Sequence, residues 1–221
     1  MKTPIFIFNG PPNSGKDASV EYLSEYSAYS CFHLRFKDYL YKLTKLIYNI
    51  DDDELFISLV SNREFKDEPN SLFHGLSPRQ ALIHVSEEVI KPKFGKDYFG
   101  KIITNKIIKI LNDNYNKHID IFISDCGFED ELISLVEFAS SKENFNIELI
   151  YIQLHREGCD FSSDSRKYID FSQPKFRRGR YSYYQINNNL TEYQLFDKLR
   201  SIYNQIDSNN RHFTKADKHE W

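Results

Sequence analysis

Gly10, Gly15 and Lys16 stand at the spacing G-x-x-x-x-G-K, and a segment built this way can capture a chain of phosphates. Glycine allows backbone torsions that a β-carbon forbids, so successive N–H groups can turn into one concavity beside a helix N-terminus. Gly10, Asn13, Ser14, Gly15 and Lys16 are therefore expected to hold the phosphates of ATP, with the Lys16 ammonium reaching the β- and γ-phosphates. The next position, where the Walker A pattern has Ser or Thr, carries Asp17. A carboxylate there brings a full negative charge and suits Mg²⁺ held through bound water, because that ion gives up its waters reluctantly. The competing reading is a strand-to-helix turn without a ligand, in which Asp17 only favours the positive helix end. Strand, both glycines, lysine and amphipathic helix coincide here, which favours the phosphate reading.

Other charged residues cluster where strands are expected to end. Asp125 follows the run Ile121-Phe122-Ile123-Ser124 and is read as a second Mg²⁺ ligand or as the N-cap of a helix starting near Phe128. Arg35, Lys37 and Asp38 follow a second strand, and His155 and Arg156 a fourth. Arg79 lies just inside a helix opened by Ser77-Pro78, where it could grip an acceptor phosphate bidentately or simply face solvent. Arg156, Arg166, Lys167, Arg177, Arg178 and Arg180 crowd one irregular segment, read as a lid that brings arginines to a phosphoryl group in transfer. Its alternatives are a solvated basic loop, or a contact for single-stranded nucleic acid aided by Tyr181, Tyr183 and Tyr184. Lys16, Arg79, Arg156 and Arg166 are the expected catalytic cations. His33, His74, His84, His118 and His155 show no metal spacing and are assigned to structure or surface.

The elements that must position these residues are legible in the hydrophobic pattern. Apolar runs at 5–8, 31–34, 119–124 and 147–154, with a short one at 183–186, predict strands. Helical stripes predict helices over 18–26, from about 39 to 47, from 78 to about 90 where Pro92 supplies a stop, over 97–111, over 129–140, and from 191 to about 206. An acidic opening at 51–54 marks a further short helix, and 61–75 reads as a surface loop. Alternation of strand and helix predicts one α/β domain, a doubly wound parallel sheet of P-loop NTPase type with helices on both faces. Residues 1–206 are assigned to that domain, with a helical acceptor-binding part at about 35–100 and a lid at about 155–180. Residues 207–221 are assigned to a polar, disordered tail.

Composition narrows the class. The chain has 221 residues, a formal net charge of −3 and 40% hydrophobic residues, enough for a sizeable core and no global basic field for duplex nucleic acid. Cys31, Cys126 and Cys159 are odd in number and far apart, which predicts free thiols and a cytoplasmic setting. No apolar run approaches the length of a membrane span, and the opening lacks a signal-peptide layout.

With these residues in place the chain resembles the deoxynucleoside monophosphate kinases of bacteriophages, in the P-loop nucleoside monophosphate kinase group. The form G-x-x-x-S-G-K-D is similar to that family and to animal phosphomevalonate kinases. Arg35-Phe36-Lys37-Asp38-Tyr39-Leu40 resembles the family's acceptor-side segment. Ser77-Pro78-Arg79 with Lys96-Asp97-Tyr98-Phe99 resembles its helix pair around the monophosphate. Asp125-Cys126-Gly127-Phe128-Glu129-Asp130-Glu131 is similar to the motif D-x-R-F-x-x-E, with Gly127 in the arginine's place, a vacancy that a lid arginine could fill. The resemblance implies transfer of the ATP γ-phosphoryl group to a deoxynucleoside monophosphate (dNMP), with Mg²⁺ required. It implies acceptor binding by Arg35, Phe36, Lys37, Asp38, Arg79 and Tyr98, and a host-cytoplasm location if the source is viral. A homodimer is left open. So are a different phosphorylated acceptor, a polynucleotide 5′ end, and a nucleotide-binding module without turnover. A regulatory GTPase is disfavoured because Asn105-Lys106 sits in a helical pattern without the aspartate of guanine recognition.

Overall fold

The computed structural model describes residues 2–62, 64–141, 146–162, 164, 166–176, 181–189 and 191–216, with side chains to 208. In chain order the elements are β1 (Thr3–Asn9), α1 (Lys16–Tyr26), β2 (Ser30–Leu34), α2 (Phe36–Ile47), α3 (Asp53–Ser61), α4 (Pro78–Ile83), a π-helical stretch (His84–Ile90), α5 (Lys91–Phe94), α6 (Tyr98–Asp113), β3 (Ile119–Ile123), α7 (Glu129–Ser140), β4 (Ile147–His155), β5 (Tyr181–Asn187) and α8 (Glu192–Ala216). The chain divides into two compact units: Met1–Arg35 with Gly100–Trp221, and Phe36–Phe99.

The first unit holds a five-stranded parallel sheet in the order β2-β3-β1-β4-β5. Its central strand is apolar on both faces because both are covered: Ile5, Phe6, Ile7 and Phe8 are at most 1% exposed. One face packs Phe6, Phe8, Phe122, Ile150, Ile152 and Leu154 against Val20 and Leu23 of α1 and Leu195, Leu199 and Tyr203 of α8. Chain connections leave β1 toward β2 on one side and return past it to β4 on the other. The crevice beyond the carboxyl end of β1 is thus the switch point where ligands of open α/β sheets gather. The turn from β1 to α1 fills that crevice. This is an α/β fold built on a five-stranded parallel sheet, as the alternation of elements predicted. No helix among the described residues is long and apolar enough to cross a membrane.

The second unit is helical around Ile50, Phe56, Leu59, Val60, Phe73 and Ala81. Asp52 caps α3 by accepting from the Leu55 N–H at 2.9 Å, and Ser77 with Gln80 forms a capping box at α4 with Pro78 in the first turn. The expected stop near Ile90 is not observed. Pro92 cannot donate to a carbonyl four residues back, and the chain answers by widening to a π-helix before continuing as α5 to Phe94. At the C-terminus α8 also runs past the expected end near Ile206, to Ala216, since no Gly or Pro interrupts 207–216.

Candidate phosphate-binding site

The turn between β1 and α1 is held in one shape by backbone torsion and close packing. Asn13 (φ 65°) and Gly15 (φ 101°) both take left-handed conformations. A β-carbon on Gly15 would lie 2.7 Å from Asn188 Nδ2, and one on Gly10 would lie 2.5 Å from Ser14 Oγ and 2.7 Å from the Leu154 carbonyl. Asn188, buried after β5, donates through Nδ2 to the Ser14 carbonyl at 2.9 Å, and its backbone N–H donates to the His155 carbonyl at 2.7 Å. The ends of β4 and β5 and the loop are thereby tied together.

Lys16 begins α1 and is 8% exposed. Its ammonium donates to the carbonyls of Gly10 and Pro11, both at 2.7 Å, so the loop curls around its own lysine. Burial is the main cause, with repulsion from Arg166 second, of a lysine pKa lowered to about 8, against which Asp17, Asp164 and Asp125 pull upward. Side chains of both signs from separate parts of the chain therefore bear on this one ammonium. A phosphate anion at this position would restore the charge that burial disfavours.

Arg166 reaches the site from the irregular segment after β4. Its stem crosses Gly127 so closely that a β-carbon there would lie 2.5 Å from Arg166 Cβ and Cγ. The guanidinium grips Asp164, Nε to Oδ1 at 2.9 Å and Nη2 to Oδ2 at 2.5 Å, and burial's downward pull on its pKa is outweighed by Asp164, Asp125 and Glu131. The chain that carries it is strapped to the sheet's carboxyl edge. Asn9 Nδ2 donates to the Cys126 and Lys167 carbonyls at 2.8 and 3.1 Å, Lys167 N to the Gly127 carbonyl at 3.2 Å, Gln153 Nε2 to the Ile169 carbonyl at 3.1 Å, and Tyr168 Oη to the Leu154 carbonyl at 3.0 Å. Glu129, at the start of α7, receives Lys175 at 2.6 Å, Lys167 at 2.9 Å and Gln173 at 2.9 Å. Burial opposes its charge, but these three donors overcome it and hold the Glu129 carboxyl down at about 2.

Asp125 is 7% exposed and within the field of Lys16 and Arg166. It is not the cap of α7: Phe128 takes that position without a side-chain bond. Arg156, exposed, donates through Nη1 to the Asn13 carbonyl at 3.1 Å. The structure therefore brings Lys16, Asp17, Asp125, Arg156 and Arg166 to the loop, and adds Asp164 and Asn188, which sequence reasoning missed. Arg35 follows β2 in the first unit. In the second unit, Phe36 is 4% exposed, Lys37 and Asp38 are half-buried in α2, Arg79 pairs with Asp67 at 2.6 Å, and Tyr98 packs against Phe94 at 5.1 Å between ring centres. Arg177, Arg178 and Arg180 lie outside the described residues.

The donor set fits Mg²⁺ of the kind shared with phosphates. No group of three or more His, Cys, Asp or Glu forms a ready metal cage among the described residues. Mg²⁺ commonly takes one or two carboxylates, with phosphate oxygens and water completing its shell, and Asp17 with Asp125 supplies such a pair. Ser14 Oγ, buried with no partner among the described residues, marks a polar spot in the loop wall.

No protein-family model and no curated protein matches the chain. Among solved structures it is similar to an unliganded sugar kinase from a Janibacter species, at 8% identity over 90% of this chain and 92% of that one, TM-score 0.43. It is also similar to dephospho-CoA kinase from Campylobacter jejuni, at 14% identity over 95% of this chain and all of that one, TM-score 0.42.

Proposed function

We propose that this chain is an ATP-dependent phosphotransferase that moves the γ-phosphoryl group to a nucleoside monophosphate, with a dNMP as the acceptor. The observation that carries the reading is Lys16 enclosed by its own glycine-framed loop while Arg166, laid across Gly127, bears on the same charge. Phosphoryl transfer asks little covalent chemistry of a protein and much placement of cations around spreading negative charge.

The loop N–H groups of Asn13, Gly15 and Lys16 bind the donor's phosphates, Pro11 and Pro12 having none to give and Ser14 N–H being donated to the Pro11 carbonyl, and Lys16 exchanges two neutral carbonyls for phosphate oxygens. Arg156 and Arg166 stabilise charge that develops as the acceptor's phosphate oxygen bonds to the γ-phosphorus and the bridge to the β-phosphate breaks, giving ADP and a dNDP. Asp17 and Asp125 would hold Mg²⁺, which supplies charge neutralisation on the donor's phosphates. No general base is needed, since the acceptor phosphate is already an anion. Arg35, Lys37, Asp38, Arg79 and Tyr98 keep the acceptor roles the family resemblance implies; Phe36, buried, is left out.

A coupled assay of dNMPs and NMPs with ATP and Mg²⁺, run on wild type and Lys16→Ala, tests the reading, with phosphomevalonate and 5′-hydroxyl oligonucleotides as further arms. At least one monophosphate should be phosphorylated by the wild type, and Lys16→Ala should lose about 10²–10³-fold in kcat while staying folded. Absence of turnover on every nucleoside monophosphate would end the assignment.

A further inference from the structure

Strands β4 and β5 are parallel neighbours, and such a connection ordinarily carries a helix that covers one sheet face. Here residues 156–180 form only a 3₁₀ turn at Pro174–Phe176 among the described residues. The face that a helix would cover presents Tyr151, Gln153 and His155 from β4 beside Tyr183 and Gln185 from β5, with Gln153 and Gln185 in register. The strap residues close part of it: Tyr168 stacks on His155 at 4.3 Å between ring centres, and Phe171 contacts Tyr151, Tyr181 and Tyr183 at 4.5, 4.7 and 5.2 Å. What remains is an open pocket of about 440 Å³ lined by Gln153, His155, Tyr168, Phe171, Tyr183 and Gln185 among others.

We propose that this cavity is a second ligand site, for an uncharged planar heterocycle of nucleobase or nucleoside class. Its volume lies within the about 300–1,000 Å³ typical of small-molecule sites. Aromatic walls favour a flat ring. The Gln185 amide reads its edge: Tyr183 Oη donates to the buried Gln153 Oε1 at 2.7 Å and takes Gln185 Nε2 at 2.5 Å, while the Gln185 carboxamide oxygen accepts no bond from the described residues. A side-chain amide can both donate to and accept from the polar edge of a base. Among the described residues the lining carries no Lys or Arg, and its carboxylate, Asp170, would repel phosphate, which favours an uncharged ligand. None of the lining residues belongs to the loop from Gly10 to Asp17, which separates this site from that of phosphoryl transfer.

The test is calorimetry and saturation-transfer NMR with adenosine, guanosine, cytidine and thymidine on wild type, Lys16→Ala, Gln185→Ala and Tyr183→Ala, each checked for folding by circular dichroism. At least one nucleoside should bind wild type and Lys16→Ala alike with a Kd below about 1 mM, persist under saturating Mg·ATP, and weaken about tenfold or more in Gln185→Ala or Tyr183→Ala. No nucleoside binding, displacement by Mg·ATP, or undiminished binding in both cavity variants would each overturn the proposal. Because the readout needs no turnover, failure of the kinase reading and failure of this site are separately visible.

Discussion

Two aspartates five positions apart bracket the same strand and meet opposite surroundings. Asp120, at the amino-terminal end of β3, is 1% exposed, and its Oδ2 accepts from Ser27 Oγ and Tyr203 Oη, both at 2.6 Å. Burial raises its pKa, with those two hydroxyls pulling back. Asp125, past the carboxyl end, is nearly as buried but sits among full charges, those of Lys16 and Arg166. Neutral hydroxyls settle a carboxylate into one arrangement, which is a structural use. Opposing cations, one with its pKa lowered to about 8, leave a site whose charge balance an incoming anion can change. Burial alone does not separate the two roles; the chemistry of the neighbours does.

The sharpest way to break the contrast is to neutralise each carboxylate in turn. Asp125→Asn should lower kcat with the preferred monophosphate by about 10²–10³-fold, the scale of one lost electrostatic partner. Its melting temperature should stay within roughly 2–4 °C of wild type, since Arg166 keeps Asp164. A stable, fully active Asp125→Asn would erase the functional half of the comparison. Gly127→Ala comes next. The added methyl would fall 2.5 Å from the Arg166 stem and push the guanidinium aside, and a misplacement near 1 Å can cost up to about 10²-fold in rate. Adding Arg166→Ala should then cost little more, because the two changes act on one group; additive losses would show that Gly127 matters for another reason.

Asp120→Ala should behave in the opposite way. It leaves the Ser27 hydroxyl without its acceptor, Tyr203 Oη keeping Ser27 Oγ at 2.9 Å, at about 1–3 kcal/mol, and lowers the melting temperature by roughly 2–4 °C for each kcal/mol, with kcat unchanged in the folded enzyme. Scanning calorimetry and the coupled assay on one preparation decide it.

The strands were legible because a parallel sheet covered on both faces demands unbroken apolar runs, as Ile5 to Phe8 in β1 and Leu149 to Ile152 in β4 provide. The loop was legible because glycine recurs at fixed spacing, though for two reasons: Gly15 takes φ 101°, whereas Gly10 has no left-handed torsion and is required by the close approach of Ser14 Oγ and the Leu154 carbonyl. Asn188 and Asp164 were not, since their importance comes from contacts across the fold. Asn188 reaches Ser14 from 174 positions away, and nothing in the run Asn187-Asn188-Asn189 says which amide points inward. Asp164 sits in a segment without periodicity, where pairing with Arg166 is set by the strap's bonds to Asn9 and Gln153. Pro92 misled for a related reason: it forbids an α-helical bond but not a wider turn.

The smallest expected effect lies in protons. Lys16 has its pKa lowered to about 8, below the ordinary lysine value, so folding disfavours its charged form and the cost is fully present at pH below about 8. Stability from this group therefore rises as pH climbs from about 8 toward the unfolded lysine value, the reverse of a salt-bridged lysine. A bound triphosphate favours the ammonium and moves the pKa back up, so binding must take up protons wherever the free enzyme has lost them. At pH 7 Lys16 is already charged and its uptake is near zero; at pH 9 it approaches about one proton, and affinity falls with rising pH accordingly. Terminal phosphates lose their last proton near about pH 6 and do not confuse the count. Calorimetric titration of Mg·ATP at pH 7 and 9, in buffers of different ionisation enthalpy, reads the uptake directly, and Lys16→Met should abolish it. Equal uptake at the two pH values would mean that the ammonium enclosed by Gly10 and Pro11 is not the group that answers to phosphate.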